Sequence, residues 1–216
     1  MPKQPNPQPV SDDEVRALLQ RHRCPVPFHE VRTRFLGNIA TPALSASPIK
    51  IVEGLWGGEL PVFDSIDDAN ALIGALLNGL WNRLTRHQDR GAPFRLTRIN
   101  VMPTREGLSV VAMMRRQELE GFVEGLFGDH EELDLPEQAH RSLSDLGEMR
   151  TLYAAVVDVT KDETVAGTEK DTERTLRHMR EMTRVAEHEM HAIVLSCVCA
   201  RQQMLAGLPI RKATLH

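Results

Sequence analysis

Aromatic residues are scarce. Phe, Trp and Tyr make up 4% of the 216 residues, with one tyrosine and two tryptophans. A sandwich core built on aromatic and β-branched cross-strand pairs is disfavoured, and the core must come from Leu, Val, Ile, Ala and Met. Cysteine is as sparse. Cys24 stands alone, and Cys197 and Cys199 are one residue apart, too close for a helical pair to bridge. With no signal-like opening either, the chain reads as a protein of the reducing cytoplasm. No apolar run approaches the roughly 20 residues of a membrane span. Charge of one sign is missing too: 26 basic residues stand against 30 acidic ones, a net of −4. No basic excess suits a phosphate backbone, so nucleic acid is excluded as a direct partner. The phosphate-loop, dinucleotide, nucleophile-elbow and C-x-x-C motifs are all absent.

What is present is helical periodicity. At 41% hydrophobic residues the chain is expected to fold. Its organising stretch runs from Leu36 to Trp81. Phe35, Leu36 and Ile39 share one helical face, which Pro42 ends. Pro48 suits the first turn of a short helix carrying Ile51, Val52 and Leu55, stopped by Gly57 and Gly58. Asp64 or Ser65 then caps a third helix, with Asp67 and Asp68 at the positive dipole end. Ile66, Ala69, Ile73, Leu76, Leu77, Leu80, Trp81 and Leu84 form its buried stripe. Trp56 and Trp81 are expected to be largely buried.

The joint pattern carries a resemblance. Gly37 to Pro42, Pro48, Leu55-Trp56-Gly57-Gly58, Pro61-Val62-Phe63-Asp64, Trp81-Asn82 and the later Gly121-Phe122-Val123-Glu124-Gly125 resemble the YecA/YgfB-like family. These are small all-helical bacterial proteins, and the resemblance spans roughly Phe35 to Phe127. It implies an all-α, multihelical fold. Members often carry a Cys/His zinc-binding tail. Here Arg211 to His216 holds no such set, so that role does not carry over.

In chain order, residues 1–10 hold four prolines and read as a disordered tail. Ser11-Asp12-Asp13-Glu14 is a capping box, opening a helix with Val15, Leu18 and Leu19 inward. Residues 11–160 form the helical domain. Gln88 to Pro93 is a polar turn. Leu96 to Val101 and Leu108 to Met114 fit either a short β-hairpin near 96–114 or irregular structure, which is preferred for the first segment. Arg115 to Phe127 is helical, and Gly121 and Gly125 let another helix approach closely. An acidic, exposed segment covers 129–137. Pro136 to Leu146 and Glu148 to Val157 pair as a helical hairpin broken near Gly147, followed by a polar connection, Asp158 to Thr168. Residues 169–206 form one long helix packed partly on the domain, with a seam through Leu176, Met179, Thr183, Ala186, Met190, Ile193, Cys197 and Ala200. The charged half before Met190 suits a helix that projects or pairs with a second copy. The apolar half after it is the buried one.

The candidate chemistry is thin. His188 and His191 stand three apart on that helix, with Glu187 four before His191. Carboxylate and imidazole groups so placed can share a divalent metal in a bundle. A metal there needs a second copy to complete its ligands. Cys24 between His22 and His29 has no other triad element in sequence. The leading expectation is a non-enzymatic protein-binding or adaptor module with no cofactor, a protein partner and an optional homodimer. The alternative is a metal-binding protein or metalloenzyme using His188 and His191.

Overall fold

The structure, a computed structural model, describes residues 10–162 and 168–207. These residues are helical or irregular, with no strand among them. Helix α1 spans Asp12–Arg21, α2 Phe28–Ala40, α3 Pro48–Gly54 and α4 Ile66–Ile73. The last runs on as a π-helix over Gly74–Trp81, a short α5 over Asn82–Leu84 and a 3-10 turn over Thr85–Gln88. Three long helices follow: α6 (Arg105–Phe127), α7 (Glu137–Lys161) and α8 (Glu169–Gly207). No helix among the described residues is long and apolar enough to cross a membrane.

The caps follow the local chemistry. Ser11 Oγ accepts from the Glu14 amide at 3.2 Å, and Glu14 Oε2 accepts from the Ser11 amide at 2.7 Å. Pro48 opens α3, and Gly57 and Gly58 end its turn at φ +80° and +105°. Ser65 caps α4 by accepting from the Asp68 amide.

Helix α2 is the centre of the core, buried continuously from Phe35 to Ala40. It crosses α6 closely, and α6, α7 and α8 pack in succession, with α8 also reaching α2. The α2–α6 crossing depends on glycine. A Cβ on Gly121 would stand 2.8 Å from Thr33 Oγ1, and one on Gly125 2.7 Å from the Arg34 carbonyl carbon.

Several expectations are corrected. Trp56 and Trp81 are half-buried rather than largely buried, and each indole N–H donates to a buried residue: the His22 carbonyl at 3.0 Å and Asn38 Oδ1 at 3.1 Å. The stripe of the third helix runs through Leu72, Ala75, Leu76, Leu80 and Leu84, while Ile66 is 80% exposed. The π-helix from Gly74 alters the periodicity on which the stripe was laid out. No hairpin forms at 96–114. Thr104 caps α6 by accepting from the Gly107 amide, so the helix starts at Arg105 and takes in Leu108 to Met114. Gly147 does not break α7, which is continuous and extends to Lys161. The expected connection lies partly in 163–167, outside the described residues, as does the tail up to residue 9. The seam before Met190 does not project: Leu176 and Met179 are buried, and α7 packs along α8, with the Tyr153 hydroxyl donating to the Met179 carbonyl at 3.3 Å.

Candidate protein-binding groove

Between the 3-10 turn and α6, residues 93–102 carry no regular secondary structure. The Asp89–Ala92 turn sets its start: the Gly91 amide bonds Asp89 Oδ1 at 2.7 Å, and His87 Nδ1 donates to the Ala92 carbonyl at 2.7 Å. Phe94 and Leu96 are buried while Arg95 between them is exposed, which is the period of a strand.

Buried side chains then substitute for a neighbouring strand. Glu187 on α8 accepts the Leu96 amide at 3.0 Å and pairs with Arg95 at 2.6 Å. Glu118 on α6, fully buried, accepts the Thr97 amide at 2.8 Å, and Arg115 donates to the Thr97 carbonyl at 2.6 Å. Arg115 and Glu118 pair directly. Arg115 also bonds Thr183 Oγ1 at 3.1 Å, and that hydroxyl donates to the Met179 carbonyl. Burial pushes the nearby Tyr153 hydroxyl up from its ordinary pKa. Two buried acids are thus matched by two arginines, and each holds one backbone amide of the segment.

Beyond Thr97 the clamp stops. The amides of Arg98, Ile99, Asn100, Val101 and Met102 meet no hydrogen-bond acceptor among the described residues. Beside Arg98, Ile99 and Asn100 a groove of about 620 Å³ opens between this segment and α8. Arg98, Arg180 and Arg184 line it, all exposed and without an ion pair among the described residues. A larger apolar groove, about 680 Å³, lies between α7 and the start of α8 over Leu108, Val156, Met179 and Met182. Its lining also includes Arg105, Glu169, Asp171 and His178.

The expected metal residues occupy different environments. Glu187 faces inward and is held by Arg95 and Leu96, whereas His188, about 100° further round the helix, is exposed. His191 is half-buried, and neither ring nitrogen has a hydrogen-bond partner. No set of three His, Cys, Asp or Glu side chains comes together to hold a metal among the described residues. Cys24 is half-buried with its thiol on the Val26 and Leu55 carbonyls, and burial pushes its pKa up. Burial pushes Cys197 up to about 12, which suits an inert core thiol. The acidic segment has its carboxylates exposed, and Asp129 pairs with Lys50 at 2.6 Å. Sequence reasoning missed the groove, although Arg180 and Arg184 at i,i+4 on α8 and the alternation around Arg95 were the available signals.

Fold and site together define an all-α scaffold that presents one half-clamped extended segment beside an arginine-lined groove. Comparison with protein-family models, curated proteins and solved structures finds no match to this chain.

Proposed function

We propose that the chain is a non-enzymatic protein-binding or adaptor module whose binding edge is the segment from Arg98 to Met102. The observation that supports this is the open backbone there. A segment whose burial alternates as a strand's does, with unpaired amides and one end held by the Arg115–Glu118 and Arg95–Glu187 pairs, offers an edge for strand addition by a partner. The buried charges of the groove are committed to holding that segment, which leaves recognition to its edge and rim. The YecA/YgfB-like resemblance, a bacterial origin and a cytoplasmic setting belong to the same reading.

A photo-crosslinking residue placed at Asn100 tests it in the native cytosol, with Ile66, exposed on α4, as the control position. The reading expects a partner adduct at Asn100 that is missing at Ile66. Identical adducts at both positions, or none, would remove it.

One observation favours the metal-binding alternative: the two buried, unpartnered ring nitrogens of His191. In that reading a second copy supplies the remaining ligands. Elemental analysis, with mass in solution measured before and after a chelator, separates the two. A metal-free protein whose mass ignores the chelator excludes the alternative.

A further inference from the structure

The groove carries more information than the presence of a binding edge. Three guanidinium groups, Arg98, Arg180 and Arg184, line one trough, and none has an acidic partner among the described residues. The one acid that lines the groove, and the buried acid beneath it, are already paired. Glu187, which also lines the groove, is paired with Arg95, and Glu118 beneath it with Arg115. The trough is therefore cationic although the whole chain is acidic, with a net charge of −4.

Two of the cations follow the axis of α8. Arg180 and Arg184 are four residues apart on α8, a separation of about 6 Å along the helix axis. In an extended peptide, residues on one face recur every two positions, roughly 6.6–6.8 Å apart. Two carboxylates at alternate positions of a strand thus match two arginines one helical turn apart. Arg98 stands on the extended segment itself, opposite α8 across the groove. Arginine also favours carboxylate through its forked donors.

We propose that the partner segment is an extended, acidic peptide with carboxylates at alternate positions. It adds as a strand along Arg98 to Met102 and presents those carboxylates to Arg98, Arg180 and Arg184. This rests on the protein-binding reading of the same groove. A second copy's acidic segment 129–137 is the competing occupant.

The test uses the full chain and a fluorescent heptapeptide alternating Glu or Asp with Val, followed by anisotropy. A peptide with lysine at the acidic positions controls for charge. The acidic peptide with alternate backbone amides N-methylated controls for strand pairing. The proposal expects binding by the unmodified acidic peptide alone. It expects loss of at least about tenfold in affinity in the Arg98→Gln/Arg180→Gln/Arg184→Gln variant. All three residues are exposed, so the variant should fold as the parent does. Affinity should also fall as salt rises from about 0.05 to 0.5 M.

Equal binding of the acidic and lysine peptides, or full affinity in the variant, overturns the proposal. So does undiminished binding after N-methylation. A chain that is a dimer in solution, becomes a monomer in the variant and takes up no peptide also overturns it, with a second copy as the occupant. If the peptide arm fails while Asn100 still crosslinks a partner protein, the protein-binding reading stands and only the partner's chemistry falls. If Asn100 captures nothing either, both fall.

Discussion

The backbone of Arg34 lies directly over Gly125. A Cβ on that glycine would stand 2.7 Å from the Arg34 carbonyl carbon and 2.9 Å from its Cα. Both are backbone atoms, so no side chain can swing aside to make room. Gly37 makes the reciprocal approach, with the Leu126 amide nitrogen 2.6 Å from where its Cβ would be. The close α2–α6 crossing is set by absent side chains.

Gly125→Ala should therefore destabilise by about 3 kcal/mol, at the upper end of ordinary overpacking costs. Gly147→Ala is the opposite case. It sits inside α7 with nothing within 4 Å of its Cβ position, and should stabilise by roughly 0.5–1 kcal/mol. Urea unfolding of the two variants checks both signs. Equal effects would mean that the crossing is looser than described.

The buried pair gives a second prediction. Removing Glu118 leaves Arg115 charged in the core and the Thr97 amide unpaired. Glu118→Ala and Arg115→Ala should each cost about 3–5 kcal/mol. The double variant should cost clearly less than the two together, because no charge is then stranded. Strict additivity in a double-mutant cycle would contradict this.

Trp81→Phe isolates one hydrogen bond. The ring packing is largely kept, but Asn38 Oδ1 loses the indole donor at 3.1 Å in a buried position. A loss of about 1–2 kcal/mol is expected. Trp81→Ala should cost more, through lost packing, though less than it would for a fully buried tryptophan. A thermal midpoint unchanged by the Phe substitution would show that Asn38 finds another donor.

His87 is expected to make stability depend on pH. Burial holds its imidazole below the ordinary range, against the Ala92 hydrogen bond, which raises it; Arg86, Arg32 and His191 lower it further. Below its ordinary value near 6.5 the unfolded chain binds a proton that the folded chain does not. Stability should therefore decline as pH falls through about 6.5 and continue to decline until the folded-state value is reached. In His87→Gln the decline between about pH 7.5 and 5.5 should be shallower, even if the variant starts lower. Parallel declines would assign the effect to other groups.

Much of the helical frame was legible in the sequence, because caps and glycines act locally. The Ser11–Glu14 box, Pro48, Ser65 and the small residues at Gly121 and Gly125 each point to what they do. Three features were not legible. The π-helix from Gly74 displaced the buried stripe from Ile66 and Ile73 to Leu72 and Ala75, and no composition marks a π-helix. Leu108 to Met114 looked strand-like because β-branched residues suit either state, and the α6 cap at Thr104 decided it. The groove was hidden for a different reason. Arg98 and Arg184 are far apart in sequence, and contacts such as those of Glu187, Glu118 and Arg115 hold the segment beside α8. In sequence, Glu187 read instead as a companion of two histidines.

Amide hydrogen exchange at Arg98 to Val101 tests the central claim most directly. In the free chain these amides should exchange fast while those of Leu96 and Thr97, bonded to Glu187 and Glu118, are protected. With the acidic alternating peptide bound, alternate amides from Arg98 onward should become protected. Peptide binding that leaves all four amides exchanging as before, or amides already slow in the free chain, would contradict the account.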